Sequence, residues 1–273
     1  MKKIKYILLV AFAISLSSCG EDYLDEKPGT GIEVPPGANP IQDEATMKNL
    51  LTGMYNQLAS TDAFGSTILN VNNIVSDDVF VSVTNSGYYR TTNLMTWTPS
   101  GSDFTQYNKL YDVVGLSNFI LNAKIDETAN VKNYKAQAYT ARALALFYLV
   151  NYYSANPTSG LNQNLGIPVH VGEYDQFGVY PRKTVAEVYT QIISDLNAAT
   201  TSAFTGGNKG YFSTTAAELI LSKVYLTRGQ AGDYDNAIIH ADKALAAGGA
   251  SSLLKKDKLV NYFYPATKPE NDN

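Results

Sequence analysis

Cysteine occurs once in the 273 residues, at Cys19, so the chain can form no internal disulfide and build no cysteine zinc site. Histidine occurs twice, at His170 and His240, far apart in sequence and outside any His-Glu-x-x-His pattern. A Gly-x-Ser-x-Gly elbow and a phosphate-cradling glycine loop are also missing. Asp77 and Asp78 are adjacent, which on an extended segment points them in opposite directions and makes a poor acid and base pair. Asp233-Tyr-Asp235 has the start of a calcium loop but neither its glycine nor its terminal glutamate, so a turn between helices is the expectation there. These absences leave no catalytic residue and no metal ligand to nominate, and no cofactor is expected. Charge is also sparse: charged residues are 17% of the chain, the formal net charge is -4, and no basic run is present. That is the wrong sign for nucleic-acid binding. Long apolar runs are missing too. The one from Ala143 to Val150 is bracketed by Arg142 and Asn151 and falls far short of the ~20 residues a bilayer-spanning helix needs.

The start of the chain carries Lys2, Lys3 and Lys5, then an apolar stretch from Ile7 to Leu16, then Leu16-Ser-Ser-Cys19. This resembles a bacterial lipoprotein signal with its lipobox. The resemblance implies cleavage before Cys19, acylation of its sulfur and amino group, and a mature chain held to a membrane by lipid. Residues 1–18 are then the signal peptide. Residues 19–42, rich in acid, Gly and Pro, form a flexible tether. Glu21 and Asp22 resemble the acidic signal that places some Gram-negative lipoproteins on the outer face of the outer membrane.

Residues 43–273 read as a helical domain. Its centre is the stretch from Asn133 to Tyr153, in which Ala138, Ala141 and Ala145 recur at spacings of three and four between Tyr134, Tyr148 and Tyr152. A helix that is apolar on every side over Ala143–Val150 must be surrounded by protein. Earlier, Met47, Leu50, Leu51, Met54 and Leu58 define a first helix over 43–59, and Tyr107, Leu110, Tyr111, Val114, Phe119 and Ile120 define another that Asp103 can cap. Between them, residues 60–101 show no sustained periodicity and read as an irregular loop. After a second irregular stretch, Thr184 and Glu187 have capping-box spacing ahead of Val185, Val188, Tyr189, Ile192, Ile193 and Leu196, and Thr215 and Glu218 repeat the box. From residue 213 to 248 the pattern is helix, turn, helix, close to the roughly 34 residues of a tetratricopeptide repeat. One such pair cannot close a core alone, so the earlier helices must pack on it.

In this order, the pieces resemble the SusD and RagB family of surface nutrient-binding lipoproteins. The marks are Cys19 followed by Asp22-Tyr-Leu-Asp-Glu-Lys-Pro28, Ala138-Tyr-Thr-Ala-Arg-Ala143 with Phe147 and Tyr148, and Gly166-Ile-Pro-Val169. Tyr180-Pro-Arg182 leads into Val185–Tyr189 and Ile192–Leu196, and Ala216–Leu226 with Tyr234-Asp-Asn-Ala237 completes the set. The resemblance implies an all-α fold of tetratricopeptide-like pairs with long loops. It also implies lipid anchoring at the cell surface of the outer membrane, a SusC-like TonB-dependent transporter as partner, and glycan capture without catalysis. Family members are usually much longer, so the expectation is an N-terminal portion of that fold, incomplete at the C-terminus.

Glycan binding calls for aromatic faces against sugar rings and for amides, carboxylates and arginine against hydroxyls. The loop from Asp77 to Trp97 holds both kinds. Tyr88, Tyr89 and Trp97 supply rings, and Asp77, Asp78, Asn85 and Arg90 supply polar partners. Tyr111, Tyr148, Tyr189 and Tyr225 sit on apolar helical faces and read as core, while Arg142 reads as half of a buried ion pair. A peptide or protein ligand on the same scaffold is the alternative, since helical repeats often present concave surfaces to peptides.

Overall fold

A computed structural model of the chain describes residues 39–98, 104–173, 175, 178–201, 203–248 and 255–258. The leader, Cys19 and Asp103 lie outside the described residues. Among the described residues eight α-helices follow one another and there is no named strand, with isolated bridges between Pro168 and Arg182 and between Thr205 and Ser213. The all-helical fold class is as expected. None of the described helices is long and apolar enough to cross a membrane.

Helix α1 (Glu44–Leu58) starts where Asp43 Oδ1 accepts a 2.7 Å hydrogen bond from the Thr46 amide, and it buries Met47, Leu51, Met54 and Leu58 at helical spacing. The segment before it is not free. Asn39 donates to the Phe119 carbonyl at 2.7 Å and Ile41 is buried in the core, so the expected tether ends in a docked stretch. The irregular loop expected over 60–101 is corrected in part. Helix α2 (Thr67–Val75) and one short turn, α3 (Arg90–Asn93), occupy it. The α2 run TILNVNNIV hides its helical period because three asparagines stand off the core together with two apolar but exposed residues, Leu69 and Val75, while Ile68, Val71 and Ile74 are buried.

Helix α4 (Gln106–Leu121) begins after Thr105, whose side chain makes no cap bond. Helix α5 (Ala129–Tyr153) is the centre of the domain and packs against α1, α4, α6 (Val185–Thr200) and α7 (Thr214–Arg228). Its Ala138, Ala141 and Ala145 are fully buried, so neighbouring backbones approach with nothing larger than a methyl group between. Thr184 and Glu187 form the expected capping box at α6. The second box does not form. Ser213 caps α7, and Glu218 turns instead to His240 of α8 (Asp233–Gly248), whose Nδ1 lies 2.6 Å from its carboxylate. The helical pair α7 and α8 closes through Ser222, which donates to the Ala237 carbonyl at 2.7 Å. Arg228 grips Asp233 with two hydrogen bonds of 2.6 and 2.8 Å, so this aspartate, expected within the turn, is instead the first residue of α8 and ties it to the end of α7.

Arg182 fastens the second irregular stretch to the end of α5, donating to the carbonyls of Gly166 at 2.5 Å and Tyr153 at 2.7 Å. At Gly166 a Cβ would lie 2.5 Å from the Lys183 carbonyl oxygen, so only glycine lets these strands of loop touch.

Candidate functional site

Helix α2 splits its residues between two tasks. Ile68, Val71 and Ile74 go to the core, which leaves Asn72, Asn73 and Ser76 on the far side. Helix α5 brings Tyr148, Asn151 and Tyr152 to the same place at spacings of three and four, and α7 brings Lys223 and Thr227. With Asp78, Trp97 and Phe104 these line an open groove of about 630 Å³.

One wall is a chain of rings. Trp97 and Phe104 meet edge to face at 5.4 Å, Phe104 and Tyr152 at 5.5 Å, and Tyr152 and Tyr148 lie tilted at 6.1 Å. Tyr148 is held in turn by the edges of Phe64 and Phe147. Trp97 keeps 40% of its surface exposed, so the rings hold it in position while part of it faces solvent.

The polar groups are arranged between these rings. Tyr152 donates to Asn72 Oδ1 at 2.5 Å, and burial pushes its phenol well above the ordinary tyrosine value, with Tyr148 and Tyr153 adding to the effect. It is therefore a neutral donor at every physiological pH. Asn151 donates to the Phe147 carbonyl at 2.6 Å and accepts from the Tyr189 hydroxyl at 3.3 Å. Asp78 Oδ2 accepts from Ser76 at 2.9 Å, which leaves the rest of an acceptor-only group facing the groove. Lys223 lies over the Tyr148 ring, 5.5 Å from its centroid.

The residues expected at the site do not come together in one place. Asp78 and Trp97 reach the groove. Arg90 and Asn85 line a different hollow of about 160 Å³, and Tyr88 is largely exposed outside both. Tyr89 sits in the left-handed region at φ 56°, where its hydroxyl accepts from Asn70 at 3.3 Å. Tyr148, expected in the core, turns out to be half-buried with its outer part on the groove, and Tyr152, Asn72, Asn73 and Lys223 were not anticipated there. One signal was available. The all-apolar run from Ala143 to Val150 contains Tyr148 and is followed by Asn151 and Tyr152, and buried phenols need partners.

Two other cavities are spoken for differently. Beside Tyr55 a hollow of about 660 Å³ is largely apolar, and the Tyr55 hydroxyl is occupied by Gln137 at 2.7 Å and the Phe212 amide at 2.9 Å. A hollow of about 200 Å³ lies under His170, which stacks on Tyr180 at 4.1 Å. Among the described residues no group of three or more His, Cys, Asp or Glu is placed to hold a metal ion.

The class these features define is a scaffold of packed helical pairs presenting a ligand-sized groove of rings and amides. The chain belongs to the SusD-like family, whose model, described as "Starch-binding associating with outer membrane", matches residues 22–226. Among solved structures, a SusD superfamily protein from Bacteroides thetaiotaomicron VPI-5482 is similar at TM-score 0.69 and 21% identity, over 80% of this chain and 49% of its own. A putative sugar binding protein from Bacteroides vulgatus ATCC 8482 gives TM-score 0.63 at 28% identity, over 76% and 47%. A laminarin binding SusD-like protein gives 0.53 at 21%, over 77% and 44%. No curated protein matches. The chain spans about half the length of these solved relatives.

Proposed function

We propose that this chain is a surface lipoprotein of the outer membrane that captures a glycan in the groove between α2, α5 and α7 and passes it, unaltered, to a SusC-like TonB-dependent transporter. The observation that carries the reading is the half-exposed Trp97, held edge-on by Phe104 and followed by Tyr152, in one groove with the side chains of Asn72, Asn73 and Asp78. Sugar rings present apolar faces to aromatics and hydroxyls to amides and carboxylates, and this wall offers both. The family description and the sugar-binding relative at 28% identity support the same ligand class. Asp78 and Trp97 contact the sugar in this groove. Tyr88, Tyr89 and Arg90, outside it on the same segment, are proposed as a second contact for a longer glycan.

Affinity electrophoresis of the lipid-free chain through gels cast with a panel of neutral and acidic polysaccharides tests this. Retardation by at least one glycan is expected, and Trp97→Ala should migrate through that gel as through a glycan-free one. A chain that no polysaccharide retards, or a Trp97→Ala variant retarded like the parent, overturns the assignment. Anchoring rests on Cys19, and Cys19→Ser should move the protein from the membrane to the soluble fraction.

A further inference from the structure

Two charged side chains line the groove, and they stand on different elements: Lys223 on α7 and Asp78 beyond the end of α2. They do not neutralise each other, since no ion pair joins them. The Lys223 ammonium has three donors, and the acceptor it meets among the described residues is the Tyr148 hydroxyl at 3.4 Å, a long bond to a neutral group. The same ammonium lies over the Tyr148 ring. The ammonium is solvent-exposed, and the ring beneath it biases its position toward the wall of the groove before a ligand arrives. Tyr148 is thereby the seat of the ammonium and not a stacking platform, and the platforms are Tyr152, Phe104 and Trp97.

We infer that the groove takes an anionic glycan, with a carboxylate or sulfate of one sugar on Lys223 and hydroxyls of the chain on Asp78; this rests on the glycan reading above. A neutral sugar offers this exposed ammonium only hydroxyls in place of water. An anionic one gives it a charge-assisted bond at the wall of an open groove, stronger than a bond between neutral groups. Asp78 repels a second anion at its own end, so the acidic sugar lies at the α7 end and hydroxyl donors lie at the α2 end. The groove therefore imposes a direction on the chain it binds.

The test is an array of uronate-bearing and sulfated oligosaccharides, each printed beside its carboxyl-reduced or desulfated counterpart, probed with the parent chain, Lys223→Met and Trp97→Ala. The methionine keeps an aliphatic stem on the Tyr148 ring and removes the charge. Binding to at least one anionic probe is expected, weaker by several-fold on the neutral counterpart and by a similar factor in Lys223→Met, the loss of one exposed charge-assisted bond. The counterpart that loses binding identifies the anion as carboxylate or sulfate. Trp97→Ala should lose the anionic and neutral members of the pair alike. Equal binding to both members, or a Lys223→Met variant with the parent's preference, overturns the anionic assignment and leaves glycan capture standing. An array with no binding at all overturns both.

Discussion

Arg142 of α5 and Asp195 of α6 meet in a two-pronged ion pair, Nη2 to Oδ1 at 2.6 Å and Nε to Oδ2 at 2.8 Å, with both side chains sealed from solvent. Each has a further partner. Arg142 also donates to Asn118 on α4 at 2.8 Å, and Gln191 donates to Asp195 at 2.8 Å. Asn118 in turn donates to the His170 carbonyl at 2.9 Å, so one guanidinium connects three helices and the loop that follows α5.

Breaking this pair from one side is expected to be costly. Arg142→Met strands a buried carboxylate, and urea denaturation should show a loss of about 3–5 kcal/mol. Pairing it with Asp195→Leu should recover much of that loss, because the stranded charge is then gone. A double variant no more stable than Arg142→Met would show that geometry, and not the unpaired charge, sets the cost.

Acid should weaken the α7 and α8 pair. The Arg228 hydrogen bonds hold the Asp233 carboxyl below the usual carboxylate range, with the Gln230 amide adding at 2.8 Å. The unfolded chain therefore takes up this proton first as pH falls. The stabilisation is present above about pH 4, the ordinary aspartate value, and is lost as pH drops through the folded one. Asp233→Asn should be less stable than the parent at pH 7, with the gap narrowing by pH 3. A gap that does not change between those two pH values counts against the pair.

At Gly166 the prediction is steric. Its amide donates to the Lys183 carbonyl at 2.7 Å, and a methyl group would collide with that same oxygen. Gly166→Ala should open the 166–183 contact, seen as faster amide exchange at Gly166 and Lys183, while Gly53→Ala, where a Cβ meets nothing, should leave exchange unchanged.

In the core, Ala141→Leu forces three further carbons into a position with no exposed surface between α5 and its neighbours. Overpacking of this kind costs about 1–3 kcal/mol or more. Thermal denaturation checks it, with the exposed Ala246→Leu as the control.

At the groove, Tyr152→Phe removes the hydroxyl bonded to Asn72 and keeps the ring. Stability should fall by about 1 kcal/mol, the net worth of one hydrogen bond. Glycan retention should fall less than in Trp97→Ala, because the aromatic wall survives.

Much of the fold was legible in the sequence because it depends on period and caps. The alanine stripe of α5, the Thr184 and Glu187 box of α6 and the helical pair over 213–248 are local patterns, and local hydrogen bonds and one apolar face are enough to specify them. Helix α2 escaped because its asparagines fit a loop as well as a helix when read singly, and only the burial of Ile68, Val71 and Ile74 favours the helix. Glu218 escaped for a related reason. A box spacing describes what a side chain can reach along its own helix, while His240 on the next helix offered a buried partner. The partner of Arg142 lies 53 residues away and no spacing rule names it.

The site divides in the same way. Composition pointed to Asp78, Tyr88, Tyr89, Arg90 and Trp97 alike, because rings and charged groups on a loop are visible in the sequence, and of these only Asp78 and Trp97 line the proposed groove. That Tyr148, Tyr152, Asn72 and Lys223 stand with them was decided by the packing of α2 and α7 against the end of α5. A groove is a relation between elements distant in the chain, and it exists only once the core that positions them has closed.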